Sequence, residues 1–92
     1  MNKSELIDQV WQKTHLQKKD CAAAVDAALD AITEALGAGD DVRLVGFGTF
    51  EVKERRARTG RNPRTKEPVE ILASRMPVFK AGKQLKDAVN TN

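Results

Sequence analysis

The residues with chemistry to offer crowd into one segment. Between Lys53 and Arg75 stand Lys53, Arg55, Arg56, Arg58, Arg61, Arg64, Lys66 and Arg75, against Glu54, Glu67 and Glu70. Eight basic and three acidic side chains give this segment a net charge of +5, and since the whole chain carries +3, the remainder is slightly acidic at −2. The stretch Arg58-Thr59-Gly60-Arg61-Asn62-Pro63-Arg64 contains no acid at all. A face that served only solubility, or that only blunted a strand edge, would mix the two signs. Guanidinium groups of one sign on a protruding surface suit a polyanion instead, through the phosphates and narrow minor groove of a duplex. Pro63 in their midst supports two readings: it forms the turn at a ribbon tip, or it is a rigid apolar wedge that enters between base steps and kinks the duplex. Composition leaves both open.

Other chemistry finds no footing. His15 is the only histidine, and no plausible nucleophile has partners at a recognisable spacing. Gly46-Phe47-Gly48 is too short for a dinucleotide fingerprint, and no glycine-rich phosphate loop ends in Lys-Ser or Lys-Thr. The expectation is therefore a protein that is not an enzyme, with no catalytic residue, cofactor or small-molecule substrate. Cys21 is the single cysteine, so it forms no internal disulfide, has no metal-ligand spacing, and reads as a small buried residue. Asp26 and Asp30 stand one helical turn apart, a spacing that fits a solvated face better than a metal site. No apolar run approaches the roughly 20 residues that span a bilayer, and the N-terminus lacks the layout of a signal peptide. No membrane partner and a cytoplasmic location are expected.

The elements that must position the basic segment follow from periodicity. Leu6, Ile7, Val10, Trp11 and Thr14 recur at helical spacing behind an Asn2–Glu5 cap signal, which predicts a helix over 3–14. Cys21, Ala24, Val25, Ala28, Leu29, Ile32, Ala35 and Leu36 form one stripe that stops at Gly37 and Gly39, which predicts a second helix over 18–37. From Val42 the period becomes two, with Val42 and Leu44 around Arg43, then Phe50 and Val52 around Glu51, so a hairpin turns at Gly46-Phe47-Gly48. Beyond Val52 no apolar face remains until Val69 and Ile71, so the basic segment projects into solvent as a two-stranded ribbon. Its edges tolerate Pro68 and Pro77. About 10 residues per strand would carry it some 30 Å. After Val78-Phe79-Lys80, Gly82 opens a final helix carrying Leu85, Ala88 and Val89. With 92 residues and only Trp11, Phe47, Phe50 and Phe79 as aromatic bulk, the chain has a thin core for a monomer, and a partner chain is expected.

Several of these segments together resemble one family. Val45-Gly46-Phe47-Gly48-Thr49-Phe50, Arg58-Thr59-Gly60-Arg61-Asn62-Pro63, Phe79-Lys80-Ala81-Gly82-Lys83 and the opening Met1-Asn2-Lys3-Ser4-Glu5-Leu6-Ile7 resemble the bacterial histone-like HU family, nearly end to end. The Gly-Arg-Asn-Pro element is shared chiefly with the related integration host factor. The resemblance implies an α+β fold: an intertwined homodimer with a helical base, a β-saddle, two protruding ribbon arms and a short C-terminal helix. A heterodimer with a paralogue is left open. Within a single domain over 1–92, the helical dimerisation base would span 1–39, the saddle strands 40–52 and 75–81, the DNA-binding arm 53–74 and the last helix 82–90.

The resemblance also implies roles. A proline matching Pro63 inserts between base pairs, arm residues matching Lys53, Arg55, Arg58 and Arg61 line the minor groove, and lysines matching Lys3, Lys80, Lys83 and Lys86 meet flanking phosphates. Arg56, Asn62, Arg64, Lys66 and Arg75 complete the expected DNA-binding set. Phe47, Phe50 and Phe79 would fill the dimer core, and Leu29, Ile32, Leu36 and Leu44 are counted with them. Relatives commonly have glycine at the position of Lys66, so the tip turn is expected to be wider or more strained here. Leu72 stands where many relatives have proline or alanine. The function implied is that of an architectural protein of the bacterial nucleoid that bends double-stranded DNA with little regard for sequence. A sequence-selective, integration-host-factor-like protein is the nearest alternative, and a scaffold for acidic protein or RNA is a more distant one.

Overall fold

The computed structural model describes residues 1–91, which divide into two compact units, Met1–Ala35 and the remainder from Leu36. In the first, helix α1 spans Lys3–Thr14 and helix α2 begins at Lys18, running to Gly37. Asn2 starts α1 as its sequence suggests, its side-chain oxygen accepting the Glu5 N–H at 2.9 Å. The helix ends at His15, which takes a left-handed conformation (φ 59°) and donates its N–H to the Trp11 carbonyl. The Gln17 carbonyl accepts the N–H groups of Asp20 and Cys21 where α2 begins. Thr14 Oγ1 lies 3.6 Å from Cys21 Sγ, and Cys21 is fully buried.

Cys21 is the only hydrophobic side chain of the described residues that is buried. Trp11 is 45% exposed and Leu29 46%, so the stripe that the sequence marks as core has no complete cover within one chain. The described chain exposes 7870 Å², whereas a compact monomer of this mass exposes about 5,300 Å². The excess comes with a solvated ribbon and with an apolar stripe that one chain leaves uncovered.

The second unit begins with the last turn of α2. Strands β1 (Val42–Leu44), β2 (Gly48–Arg55) and β5 (Ser74–Ala81) form an antiparallel sheet in the order β1-β2-β5. The β1–β2 turn closes through Phe47 N–H to the Leu44 carbonyl at 2.9 Å. Glycine is required at Gly48 for space, because a Cβ there would run into the Phe79 ring and lie 2.6 Å from the Lys80 carbonyl oxygen. Directly paired residues share a face, so Val42, Phe50 and Phe79 stand together on one side, and Arg43, Thr49 and Lys80 on the other. The Phe79 ring meets Phe50 at 4.8 Å and Phe47 at 5.5 Å, both tilted. Phe47 is nonetheless 49% exposed and Phe79 41%. Gly82 caps helix α3 (Lys83–Val89) and donates its N–H to the Phe47 carbonyl at 2.8 Å.

The expected continuous ribbon is interrupted. The β2–β5 ladder runs out to the pair Arg55–Ser74, and a separate two-stranded sheet follows, β3 (Arg58–Arg61) with β4 (Pro68–Ile71). The register is the same on both sides of the gap, so neither strand carries an inserted residue and the interruption is a break in the ladder rather than a slip. Pro77 lies in β5, an edge strand, and Pro68 opens β4, where a missing N–H costs no ladder bond.

Candidate nucleic-acid interface

The tip of the ribbon is a closed turn built around Asn62. Its N–H donates to the Glu67 carbonyl (2.9 Å) and its own carbonyl accepts the Lys66 N–H (2.7 Å). Its side-chain Oδ1 accepts the Arg64 N–H at 2.9 Å, an Asx turn that spans Pro63 and holds the ring at the exposed apex. Asn62 thus spends its acceptors on shaping the tip. Lys66 takes φ 61°, the left-handed region that favours glycine, so the turn is strained at the residue where strain was expected.

Period-two geometry distributes the arm's arginines. Arg58 shares a face with Ile71, Gly60 and Val69, while Arg61 shares the other with Pro68, Thr59 and Glu70. Gly60 leaves room for Ile71, whose Cδ1 would stand 2.9 Å from a Cβ at that position. A ribbon lying edge-on in a groove therefore presents a guanidinium to each wall. Arg55, Arg56, Arg58, Arg61, Arg64 and Lys66 are all exposed, and none has a carboxylate within 4.0 Å among the described residues.

At the root of the arm, Lys53 and Arg55 share one face of β2 with Thr49 and Glu51, and Lys80 faces the same side across the ladder. Arg43 joins them, cross-strand from Thr49. It lies outside the set that sequence reasoning selected, although the alternation of Val42 and Leu44 around it already assigned it to the polar face. Lys80 Nζ is bound to Glu51 Oε2 at 3.2 Å.

Three further body lysines, Lys3, Lys18 and Lys83, are paired too. Lys3 Nζ sits 2.7 Å from Asp26 Oδ1, and that hydrogen bond, with the attraction of the carboxylate, raises its pKa above the ordinary 10.5. A raised lysine pKa means that Lys3 stays charged at neutral pH, and its contribution is lost as pH climbs through the raised value. On α3, Lys83 Nζ stands 3.9 Å from Asp87 Oδ2, and Lys86 is exposed. Arg75 differs from all of these: its guanidinium donates to the carbonyls of Leu36 (3.2 Å) and Gly37 (3.4 Å). No group of three His, Cys, Asp or Glu side chains that could hold a metal occurs among the described residues. No helix there is long and apolar enough to cross a membrane.

An α+β chain that carries unpaired arginines on a proline-tipped ribbon belongs to the class of proteins that grip a polyanion with an arm. The chain matches the family model of bacterial DNA-binding proteins over residues 1–90 and belongs to that family, which is one of binding proteins rather than enzymes. It is 62% identical to the DNA-binding protein HU of Geobacillus stearothermophilus over 89 residues, 97% of this chain and 99% of that one. With HU-beta of Pseudomonas aeruginosa it shares 59% over 90 residues, 98% and 100% of the two chains. Among solved structures, HU of Anabaena in a cocrystal with DNA superimposes with a TM-score of 0.89 at 51% identity, all of both chains being covered. HU of Thermotoga maritima does so with 0.69 at 39% identity, over 98% and 100% of the chains.

Proposed function

We propose that this chain is an architectural protein of the bacterial nucleoid that acts as a homodimer, wraps double-stranded DNA between its arms and bends it with little sequence preference. The observation that carries the reading is the tip: an exposed Pro63, held at the apex by the Asn62 turn, flanked by arginines without acidic partners. Phosphate neutralisation supplies most of the affinity, and insertion of the ring exchanges about a few kcal/mol of unstacking for a bent duplex with more contacts. The exposed phenylalanines and α2 stripe support the dimer, since a second copy gives them the cover that one chain lacks.

Arg58 and Arg61, on opposite faces of the ribbon, serve the two groove walls. Lys53, Arg55 and Arg43 extend the basic surface along the saddle, with Arg56, Arg64 and Lys66 completing the arm. Lys3, Lys80, Lys83 and Lys86 meet phosphates only after leaving their carboxylates where they have them. The relatives described above are HU proteins, which does not favour the integration-host-factor-like alternative. The test is Pro63→Ala in a duplex carrying a dye at each end. Energy transfer on binding should fall far more than affinity, because the wedge is lost while the arginines remain. A variant that bends DNA as strongly as the parent would reduce Pro63 to a turn former.

A further inference from the structure

Helix α2 ends without a basic residue in its last turn. A helix end of this kind leaves carbonyls unsatisfied and a partial negative charge uncompensated. Both are met by a residue remote in sequence: Arg75 donates Nη2 to the Leu36 carbonyl at 3.2 Å and Nη1 to the Gly37 carbonyl at 3.4 Å. The fit extends to the loop that follows. Gly39 folds back with φ 82°, its N–H bonded to the same Leu36 carbonyl at 3.0 Å, and a Cβ at Gly39 would stand 3.5 Å from Arg75 Nη2. The guanidinium therefore lies over a loop shaped around it.

The position of Arg75 in the sheet gives this contact its consequence. Arg75 pairs with Glu54 in the penultimate rung of the β2–β5 ladder, one pair before the ladder ends at Arg55–Ser74. Beyond that rung the chain leaves the three-stranded sheet for the ribbon. Face alternation puts Arg75 on the side opposite to Lys53, Arg55 and Lys80. It thus points away from the row of cations at the arm's root, with its fork already occupied.

We propose that Arg75 is a positioning residue, a clamp that fixes the root of the arm to the end of α2, and does not bind phosphate. This rests on the reading of the ribbon as the DNA-bending element. A planar fork that spans two carbonyls holds direction as well as distance, which a point charge does not. Fixing the root preorganises the arm, so that the DNA-bound geometry is reached with less ordering on binding.

The experiment compares Arg75→Ala, Arg75→Lys and Arg58→Ala in the full chain. In the free protein, amide exchange at Gly39 should quicken on the order of tenfold in Arg75→Ala, the change expected for about one net hydrogen bond, and nearly as much in Arg75→Lys. With a duplex dye-labelled at its ends, both Arg75 variants should broaden and lower the energy-transfer distribution. The slope of log affinity against log salt should stay at the parent value in both, while Arg58→Ala should make it shallower by about 0.9 for each phosphate no longer neutralised. If Arg75→Ala flattens the slope as Arg58→Ala does, and Arg75→Lys restores both slope and bend, Arg75 is a phosphate ligand and the clamp is refuted. Unchanged Gly39 exchange would refute it as well. If instead Arg58→Ala leaves the slope untouched, the parent reading of the ribbon fails, whatever Arg75 does to Gly39.

Discussion

Two regions of this molecule treat their cations differently: six stand in the arm from Arg55 to Lys66 and ten in the rest of the chain. In the body, Lys3, Lys18, Lys80 and Lys83 each stand within 4.0 Å of a carboxylate, from Asp26, Asp8, Glu51 and Asp87. In the arm, no cation from Arg55 to Lys66 has such a partner among the described residues. A phosphate that approaches one of these four lysines must displace an acid already in place, and a phosphate that approaches the arm displaces only water and counterions. The same division holds for apolar contacts: the body gathers three phenylalanines, while the arm's Val69, Ile71 and Leu72 remain exposed. Under the proposed function, affinity and bending fall chiefly to a segment that contributes little to folding.

The division is sharpest in stability, where the largest effect should appear. Phe79 touches both Phe47 and Phe50, so Phe79→Ala should cost about 3–5 kcal/mol once the dimer covers the cluster. Thermal midpoints should also rise with protein concentration, because folding and association are one process. Leu72→Ala, at a residue 74% exposed in the arm, should leave the midpoint nearly unchanged. A concentration-independent midpoint would place the core inside a single chain and end the argument for an obligate dimer.

A smaller effect separates the two kinds of cation. Glu51→Gln frees Lys80, and exposed ion pairs are worth about 0.2–1 kcal/mol, so DNA affinity should rise by a factor of up to about five. Lys80→Ala should cost less than Arg58→Ala, since Lys80 enters the complex only by leaving Glu51. Titrations across a salt series would show both. An affinity that falls in Glu51→Gln would mean the carboxylate orders Lys80 for binding rather than competing for it.

The sequence carried most of this division, because it rests on local signals. The bounds of α1 and α2 follow from apolar period and caps alone, and the solvated arm follows from the lack of apolar residues after Val52. The break in the ladder between Arg55–Ser74 and Arg58–Ile71 left no trace, since neither Arg56-Ala57 nor Leu72-Ala73 carries a glycine or proline and the register passes through unchanged. A turn at the tip was legible in Pro63, but the Asx turn that Asn62 makes there was not, because the sequence reading assigns Asn62 to DNA instead. Arg75 was not, because its carbonyl partners lie 38 and 39 residues away and a backbone acceptor has no sequence signature. A separation of 23 residues likewise hid the pairing of Lys3 with Asp26.

The smallest expected effect lies at the tip. Lys66 sits at φ 61°, where an L side chain is disfavoured by roughly 1–2 kcal/mol and glycine is not. Lys66→Gly relieves that strain but also releases more backbone entropy on unfolding, so the net gain in closing the turn should be about 0.5–1 kcal/mol. The place to read it is the free protein, through exchange of the Asn62 amide, which donates to the Glu67 carbonyl, and of the residue-66 amide, which donates to the Asn62 carbonyl. Both should slow by a few-fold. The unfolding midpoint should not move, because the turn opens locally without disturbing the phenylalanine cluster. With DNA, removal of the lysine charge should make the salt slope shallower by up to about 0.9 per tip, an effect independent of the exchange measured without it. Unchanged or faster exchange would show that the Asn62 hydrogen bonds, and not the backbone of residue 66, limit the tip. A midpoint that rises together with the slower exchange would show that arm and body unfold as one unit, and the comparison between them would fail.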